Sequence, residues 1–194
     1  FVETIPESIA QDIMPVLFSD YISYQAPNNG KLTAYWLLEE SKPIVFMPSD
    51  MRCIESEPCT QTGNLSGTDD TLIETEHDQR AFHFAPSNST TPYLNRGPFI
   101  DLPPGHYEVA FWIRMEESTV NKPAIELVIS SQGQPLQVSE IFTSEFNSSE
   151  QYQPFTITLE VPSRMSNVEF LVAPRTDNDI WLQNVTLSRI SVEK

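Results

Sequence analysis

The sequence has few of the residues that nucleotide-binding and zinc-dependent proteins use. Six glycines in 194 residues provide no glycine-rich loop for a phosphate group. Two cysteines, with three histidines elsewhere in the chain, do not form a convincing ligand set for structural zinc. No apolar run approaches the length of about 18 residues that a membrane-spanning helix needs. These absences argue against a phosphate-loop protein and a zinc-stabilised fold.

Basic residues are scarce as well. Eleven Lys and Arg stand against 27 Asp and Glu, which gives a formal net charge of −16 at pH 7. A surface of this charge repels the phosphates of nucleic acids and of anionic membranes. We therefore expect no nucleic-acid partner, and we interpret the charge as a solvated acidic surface.

Acidic residues are plentiful, but their spacing does not indicate catalysis. Glu74, Glu76, His77 and Asp78 crowd one short stretch, and residues one or two apart on a strand cannot flank a glycosidic bond from opposite sides. The nucleophile elbow of a serine hydrolase is also missing. We therefore predict that this chain by itself is not an enzyme.

The clearest positive pattern is a period-two strand that follows a Pro-Pro-Gly turn at residues 103–105. Large apolar residues alternate along it with polar or smaller ones, and this alternation predicts an antiparallel strand with one face in a core. We expect Gly105 to take the positive φ that closes the turn. The predicted core face is Tyr107, Val109, Phe111, Ile113 and Met115, and the opposite face is Glu108, Ala110, Trp112 and Arg114.

Short strands fill most of the chain after residue 70. Strands at this spacing, with turn residues and no helix between them, indicate an all-β, antiparallel two-sheet β-sandwich. Besides the strand already described, alternating apolar residues and turn signals predict one or two strands over 71–76 and 80–84. They also predict strands at 124–130, 136–142, 155–161, 168–173 and 180–192.

The beginning of the chain has a different pattern. Helix-like apolar spacing predicts helices within residues 4–24 and 31–40, and an apolar run predicts a strand at 44–47. We therefore expect a short α/β segment at 1–51, a polar linker at 52–70 and the β-sandwich domain at 71–194.

Three stretches resemble a known superfamily. They are Gly97-Pro-Phe-Ile-Asp-Leu-Pro-Pro-Gly-His-Tyr-Glu-Val-Ala-Phe-Trp-Ile-Arg114, Tyr152-Gln-Pro-Phe-Thr-Ile-Thr-Leu159 and Ile180-Trp-Leu-Gln-Asn-Val-Thr-Leu187. Together they resemble the carbohydrate-binding-module-like, galactose-binding-like jelly rolls over residues 70–192. The resemblance implies a jelly-roll β-sandwich that recognises a glycan without cleaving it.

A second resemblance concerns residues 1–51. The sequence Ala34-Tyr-Trp-Leu-Leu-Glu-Glu-Ser-Lys-Pro-Ile-Val-Phe46 is similar to the extracytoplasmic stretch after the last membrane helix of some multi-spanning glycosyltransferases. This resemblance implies a membrane-anchored parent chain, and it leaves glycosyltransferase activity of the full-length protein open.

Jelly rolls of the first kind often hold a structural calcium with the help of an acid in the last strand. Gln183 stands at that position here, and calcium prefers charged oxygen ligands. Asp177 and Asp179 are the nearby acidic residues. The resemblance thus implies a calcium site of Asp177, Asp179 and Gln183, and the alternative is that the two acids are solvated turn residues.

A sugar-binding surface needs aromatic rings for the apolar faces of the sugar and polar groups for its hydroxyls. Trp112 is the best candidate, with Arg114 and Glu108 as neighbours on the same face. Trp181 and the loop residue Tyr93 are further candidates. Each tryptophan has an alternative interpretation. Trp112 could instead be covered by the N-terminal segment, and Trp181 could instead belong to the core.

Cysteine and sequon patterns indicate the compartment. Cys53 and Cys59 enclose a short loop, for which we predict a disulfide, with two free thiols as the alternative. N-glycosylation sequons point to the same extracellular or extracytoplasmic location. They begin at Asn64, Asn88, Asn147 and Asn184.

Two functions are therefore to be compared. The first is a noncatalytic glycan-recognition module that forms the soluble extracytoplasmic part of a larger carbohydrate-active protein. The second is a structural or protein-interaction jelly-roll domain of a cell-surface, filament or virion protein. An exposed Trp112 would favour the first function, and a covered Trp112 would favour the second.

Overall fold

Strands make up nearly all of the regular structure. A computed structural model describes residues 21–25, 33–37, 42–48, 71–76, 79–86 and 93–191. The strands in these ranges are β1 (Tyr21–Gln25), β2 (Thr33–Leu37), β3 (Ile44–Phe46), β4 (Thr71–Glu76), β5 (Gln79–Phe84), β6 (Pro98–Leu102), β7 (Gly105–Met115), β8 (Pro123–Ser131), β9 (Gln134–Phe142), β10 (Gln153–Val161), β11 (Met165–Pro174) and β12 (Ile180–Ile190).

The strands form two antiparallel sheets. Sheet A has the order β2-β1-β6-β11-β8-β9, and sheet B has the order β10-β7-β12-β5-β4, with β3 paired to β12 as well. Every described pairing is antiparallel. The predicted all-β, antiparallel two-sheet sandwich is therefore confirmed.

The core lies between the two sheets, and β7 shows how the sequence builds it. Its predicted core face is buried throughout, from Tyr107 to Met115, with at most 2% of any of these side chains exposed. Phe170 of sheet A packs against Phe111 and Phe46 of sheet B, at ring-centroid distances of 6.5 and 6.0 Å. Each large apolar side chain buried in this way contributes about 1.5–3 kcal/mol, so the register of β7 is strongly fixed.

The start of the chain contributes strands where helices were expected. The helix predicted at 31–40 is wrong, because Thr33–Leu37 is a strand paired with β1. The helix predicted at 4–24 is wrong at its end, where Tyr21–Gln25 forms β1. Thr33, Tyr35 and Trp36 favour a strand, and β1 also pairs with β6. Pairing with the sheet has outweighed the local helical spacing.

The turn before β7 also differs from expectation. Gly105 is not among the described residues with a positive φ, so that part of the prediction is wrong. A side chain there would lie 3.2 Å from both the Arg189 Nε and the Tyr107 hydroxyl oxygen. The Tyr107 hydroxyl donates a hydrogen bond to the Pro103 carbonyl at 2.7 Å. Glycine is thus needed for space around the buried tyrosine.

Some predictions concern other parts of the chain. Cys53, Cys59, Asn64 and Asn88 lie outside the described residues, as does the linker at 52–70. Within the described ranges, no helix has the length and apolar character required to cross a membrane.

Candidate functional site

The outward side of β7 forms the centre of one surface of sheet B. Glu108 is exposed there, Trp112 and Arg114 are half-buried, and the small Ala110 is 9% exposed. Strand β7 lies between β10 and β12. We call this surface the β7 outer face, and it carries three of the predicted ligand-binding residues.

A β-bulge in β12 adds two amides beside Trp112. Leu182 pairs with Ile113, and Asn184 pairs with Trp112, so Gln183 is the extra residue. The Asn184 Nδ2 donates to the Gln183 Oε1 at 3.5 Å, which places both amides on the same side of the sheet. Bulges commonly re-aim side chains near functional sites. Here the bulge brings two planar polar groups to the indole of Trp112.

One atom of the Asn184 carboxamide makes no hydrogen bond within the described structure. Its Oδ1 is buried and has no hydrogen-bond partner among the described residues. Most buried polar atoms in proteins have such a partner.

The next outward residue to Trp112 on β7 is small. Ala110 follows on the same face, about 7 Å along the strand, and it is paired with Thr156 of β10. Thr156 is exposed, and its hydroxyl is able to donate and accept hydrogen bonds. Ala110 and Thr156 thus lie between Trp112 and Glu108 on the β7 outer face.

Trp181 has different surroundings, although it lies on the same face. Strand β12 runs between β5 and β7, and His83 and Arg114 are directly opposite Trp181 on these two strands. The His83 ring stacks on the Trp181 ring at 4.6 Å with an interplanar angle of 2°. The Arg114 Cζ lies 4.0 Å from the centre of the Trp181 ring. Both ring faces of Trp181 are therefore covered by protein.

The two residues that cover Trp181 each contact a further side chain. The Arg114 Cζ also lies 5.6 Å from the centre of the Tyr152 ring, and the His83 Nε2 lies 3.0 Å from the Asp179 Oδ2. Arginine over an aromatic ring is attracted by the ring quadrupole. Arg114 thus supports Trp181 and Tyr152.

The residues of the expected calcium site are engaged elsewhere. The Lys122 Nζ donates to the Asp177 Oδ1 at 3.2 Å, while Asp179 faces His83. Gln183 is hydrogen-bonded to Asn184 on the bulge. In the described parts of the chain, no three His, Cys, Asp or Glu side chains are grouped closely enough to hold a metal. A calcium bound by Asp177, Asp179 and Gln183 stays an untested prediction.

Tyr93 belongs to the other sheet. The chain beside it runs along β11, where the Leu94 amide donates to the Val172 carbonyl at 2.7 Å. The fully buried Asn95 continues this pairing with its side chain, which donates to the Phe170 carbonyl at 2.7 Å and accepts from the Val172 amide at 3.0 Å. The structure therefore does not bring Tyr93 to the β7 outer face.

A pocket of about 350 Å³ lies at one end of the sandwich and was not predicted from the sequence. It is lined by Met115 at the end of β7, by residues 116–118 after it and by residues 143–144 and 146–150 before β10. Phe146 packs on Phe155 at 4.8 Å between ring centroids. The exposed sequon residue Asn147 lies on the pocket wall. The Asn-Ser-Ser-Glu run is the only sequence signal for a polar loop there.

Comparisons with known proteins show likeness of architecture only. No family model and no curated protein match the chain. The carbohydrate-binding module CBM6cm-2 from Cellvibrio mixtus lichenase 5A, in complex with cellotriose, has a TM-score of 0.47 at 10% identity, covering 76% of this chain and 98% of the module. A family 35 carbohydrate-binding module from Clostridium thermocellum has a TM-score of 0.47 at 11% identity, covering 77% and 100%.

A protein of another kind has a comparable score. The insecticidal crystal protein Cry2Aa has a TM-score of 0.43 at 11% identity, and the match covers 84% of this chain and 24% of that protein. The structural neighbours thus include the class of module that the sequence resembles. Identities this low do not identify a ligand, so the site has to be judged from its own residues.

Proposed function

We propose that the chain is a noncatalytic glycan-recognition module that binds a sugar on the β7 outer face. The observation that carries the proposal is the position of Trp112, half-buried on the outer face of sheet B beside two amides. An indole supplies apolar area for the C–H face of a sugar ring, and nearby amides orient the ligand through its hydroxyls.

Each neighbour of Trp112 has a separate role in this proposal. Asn184 offers its carboxamide to a sugar hydroxyl beside Trp112, and Gln183 holds the Asn184 amide in place. Glu108 accepts hydrogen bonds at the far end of the surface. Arg114 acts indirectly, because it lies against Trp181 and Tyr152.

The wider context is also a proposal. The sequons and the closely spaced Cys53 and Cys59 support an extracellular or extracytoplasmic location, with the module belonging to a larger carbohydrate-active protein. The second resemblance supports a membrane-anchored parent. We propose no catalytic role for the module itself.

One observation favours the second function, a protein-interaction domain. Strand β9 is at the edge of sheet A among the described strands. It carries three exposed large apolar side chains, Leu136, Val138 and Phe142, with exposures of 42, 54 and 36%. Exposed apolar edge strands favour contact with other chains. However, Pro135 and register shifts in the β8–β9 pairing are features that weaken edge pairing.

A glycan-array screen followed by calorimetry tests the proposal. Trp112→Ala should weaken binding at least about tenfold, equivalent to 1.4 kcal/mol, with an unchanged circular dichroism spectrum. Val138→Ala on sheet A is the control and should bind like the original chain. Equal binding by the original chain and Trp112→Ala, or no binding of any glycan by folded protein, would contradict the proposal.

A further inference from the structure

One N-glycosylation sequon lies inside the proposed sugar site. Asn184, Val185 and Thr186 are consecutive residues of β12, and Asn184 is the direct partner of Trp112. We propose that a glycan on Asn184 and an external sugar exclude each other, so that glycosylation here closes the site. This inference rests on the proposed function for the identity of the external ligand.

The strand register determines where such a glycan would stand. Val185 is fully buried in the core, so its neighbours Asn184 and Thr186 face outward. Directly paired residues of antiparallel strands have Cα atoms about 4.5–5.5 Å apart. A sugar attached to the Asn184 Nδ2 is therefore adjacent to the Trp112 indole. It occupies the space that the proposal assigns to an external ligand.

The Asn184 side chain has little freedom to carry the glycan elsewhere. Its Oδ1 is buried against the sheet, and its Nδ2 is hydrogen-bonded to Gln183. The side chain is also short, with two rotatable bonds. The first sugar residue is thus held beside Trp112 at a high local concentration, and a free sugar has to compete with an intramolecular group.

Attachment has to precede pairing of the last strand. In folded protein Asn184 is half-buried between neighbouring strands, which restricts access to its Nδ2. The donor is a lipid-linked phospho-oligosaccharide. The Asn184 Nδ2 forms a bond to C1 of the donor sugar while the bond from C1 to the phosphate oxygen breaks. The lipid phosphate leaves with the electron pair of the broken bond, and one amide proton passes to solvent. Occupancy is then fixed when β12 joins the sheet.

The sequon at Asn147 provides an internal contrast. Asn147 is exposed in the loop before β10, and it lines the end pocket rather than the β7 outer face. A glycan on Asn147 is not adjacent to Trp112 through strand pairing. Removal of the Asn147 glycan should therefore leave the Trp112 surface as it was.

The test compares two hosts and four chains. The original chain, Thr186→Val, Thr186→Ser and Ser149→Ala are each produced in a bacterial cytoplasm without N-glycosylation and in a glycosylating secretory host. Thr186→Val removes the Asn184 sequon with little change of shape, Thr186→Ser keeps it, and Ser149→Ala removes the Asn147 sequon. Because each chain is compared with itself between hosts, direct effects of a substitution cancel.

Three measurements are made on each preparation. Intact mass and peptide mapping give the occupancy of Asn184. Acrylamide quenching of tryptophan fluorescence, corrected with a Trp112→Phe variant, gives the accessibility of Trp112 without any ligand. Calorimetry gives the affinity for the glycan selected on the array.

In the original chain, Thr186→Ser and Ser149→Ala, molecules with a glycan on Asn184 are compared with the same chain from bacteria. We expect the glycosylated molecules to show reduced quenching of Trp112 and at least about tenfold weaker glycan binding. Thr186→Val should give the same values from both hosts. An unoccupied Asn184 in the secreted chain, or an occupied one with unchanged quenching and affinity, would overturn the inference. If no bacterial preparation binds a glycan, the proposed function fails, and quenching alone still decides whether the attached glycan covers Trp112.

Discussion

Two tryptophans lie on the same face of sheet B, on neighbouring strands, and have opposite surroundings. Trp181 is enclosed between the His83 ring and the Arg114 guanidinium. Trp112 is bordered by the small Ala110 and by Asn184, its partner on β12. Protein groups therefore cover the Trp181 ring, while no aromatic ring or cation among the described residues stacks on Trp112.

The difference shows that exposure alone does not distinguish a sugar platform from a structural aromatic residue. Both tryptophans are half-buried. The contacts of the ring faces decide, because stacking on a sugar needs one uncovered face. We therefore assign Trp181 to stability and Trp112 to binding, and the following predictions test this division.

The largest effect on stability is expected from Trp181→Ala. It removes the ring that His83 and Arg114 contact, and it should lower the free energy of unfolding by about 2–3 kcal/mol, below the usual range for a fully buried Trp. Urea denaturation measures the change. Trp181→Phe is the matched control and should recover part of the loss. An unfolding free energy equal to that of the original chain would show that the stack contributes nothing.

Arg114→Met should have an intermediate effect. It keeps much of the side-chain length but removes the cation over the two rings, which should cost about 1 kcal/mol of stability. Arg114→Lys keeps the charge without the planar group and should fall between the two. Glycan affinity should change less than about threefold, equivalent to roughly 0.7 kcal/mol. Loss of affinity with unchanged stability would instead make Arg114 a ligand contact.

The smallest effect on stability is expected from breaking the ion pair between Arg175 and Glu126. The Arg175 Nη2 donates to the Glu126 Oε2 at 2.7 Å, and this hydrogen bond lowers the pKa of Glu126 below its usual value. Glu126→Gln should cost about 0.2–1 kcal/mol near neutral pH, as for other solvent-exposed ion pairs.

The pH dependence of that effect has a definite sign. A lowered folded-state pKa contributes stability above the unfolded-state pKa of about 4.3, and this contribution is lost as the pH falls through the folded-state pKa. The difference between the original chain and Glu126→Gln, measured by urea denaturation, should therefore shrink below about pH 4. A difference that grows in acid would contradict the ion-pair explanation.

Regular alternation made the sandwich predictable. The core face of β7 and the positions of the later strands follow from period-two patterns in which burial of each apolar residue is strongly favoured. The N-terminal helices were predicted wrongly because β1 and β2 depend on pairing with β6 and with each other. Such contacts between distant parts of the chain are not visible in local spacing.

The site was predictable only in part. Alternation placed Trp112, Arg114 and Glu108 on one face, and the structure agrees. No local signal announced the bulge at Gln183, which brings the Asn184 amide to Trp112. The pairing of Asp179 with His83, 96 residues away, was likewise not available from the sequence. These contacts determine which tryptophan is enclosed.

The most direct test of the division measures binding and stability together for Trp112→Ala and Trp181→Ala. Thermal melts and calorimetry with the array-selected glycan are run on both variants and the original chain. Trp112→Ala should lose at least about tenfold in affinity and keep its melting temperature, whereas Trp181→Ala should melt about 5–10 °C lower and keep its affinity while folded. The reverse pattern, with Trp181→Ala losing affinity and Trp112→Ala losing stability, would contradict the assignment of the two residues.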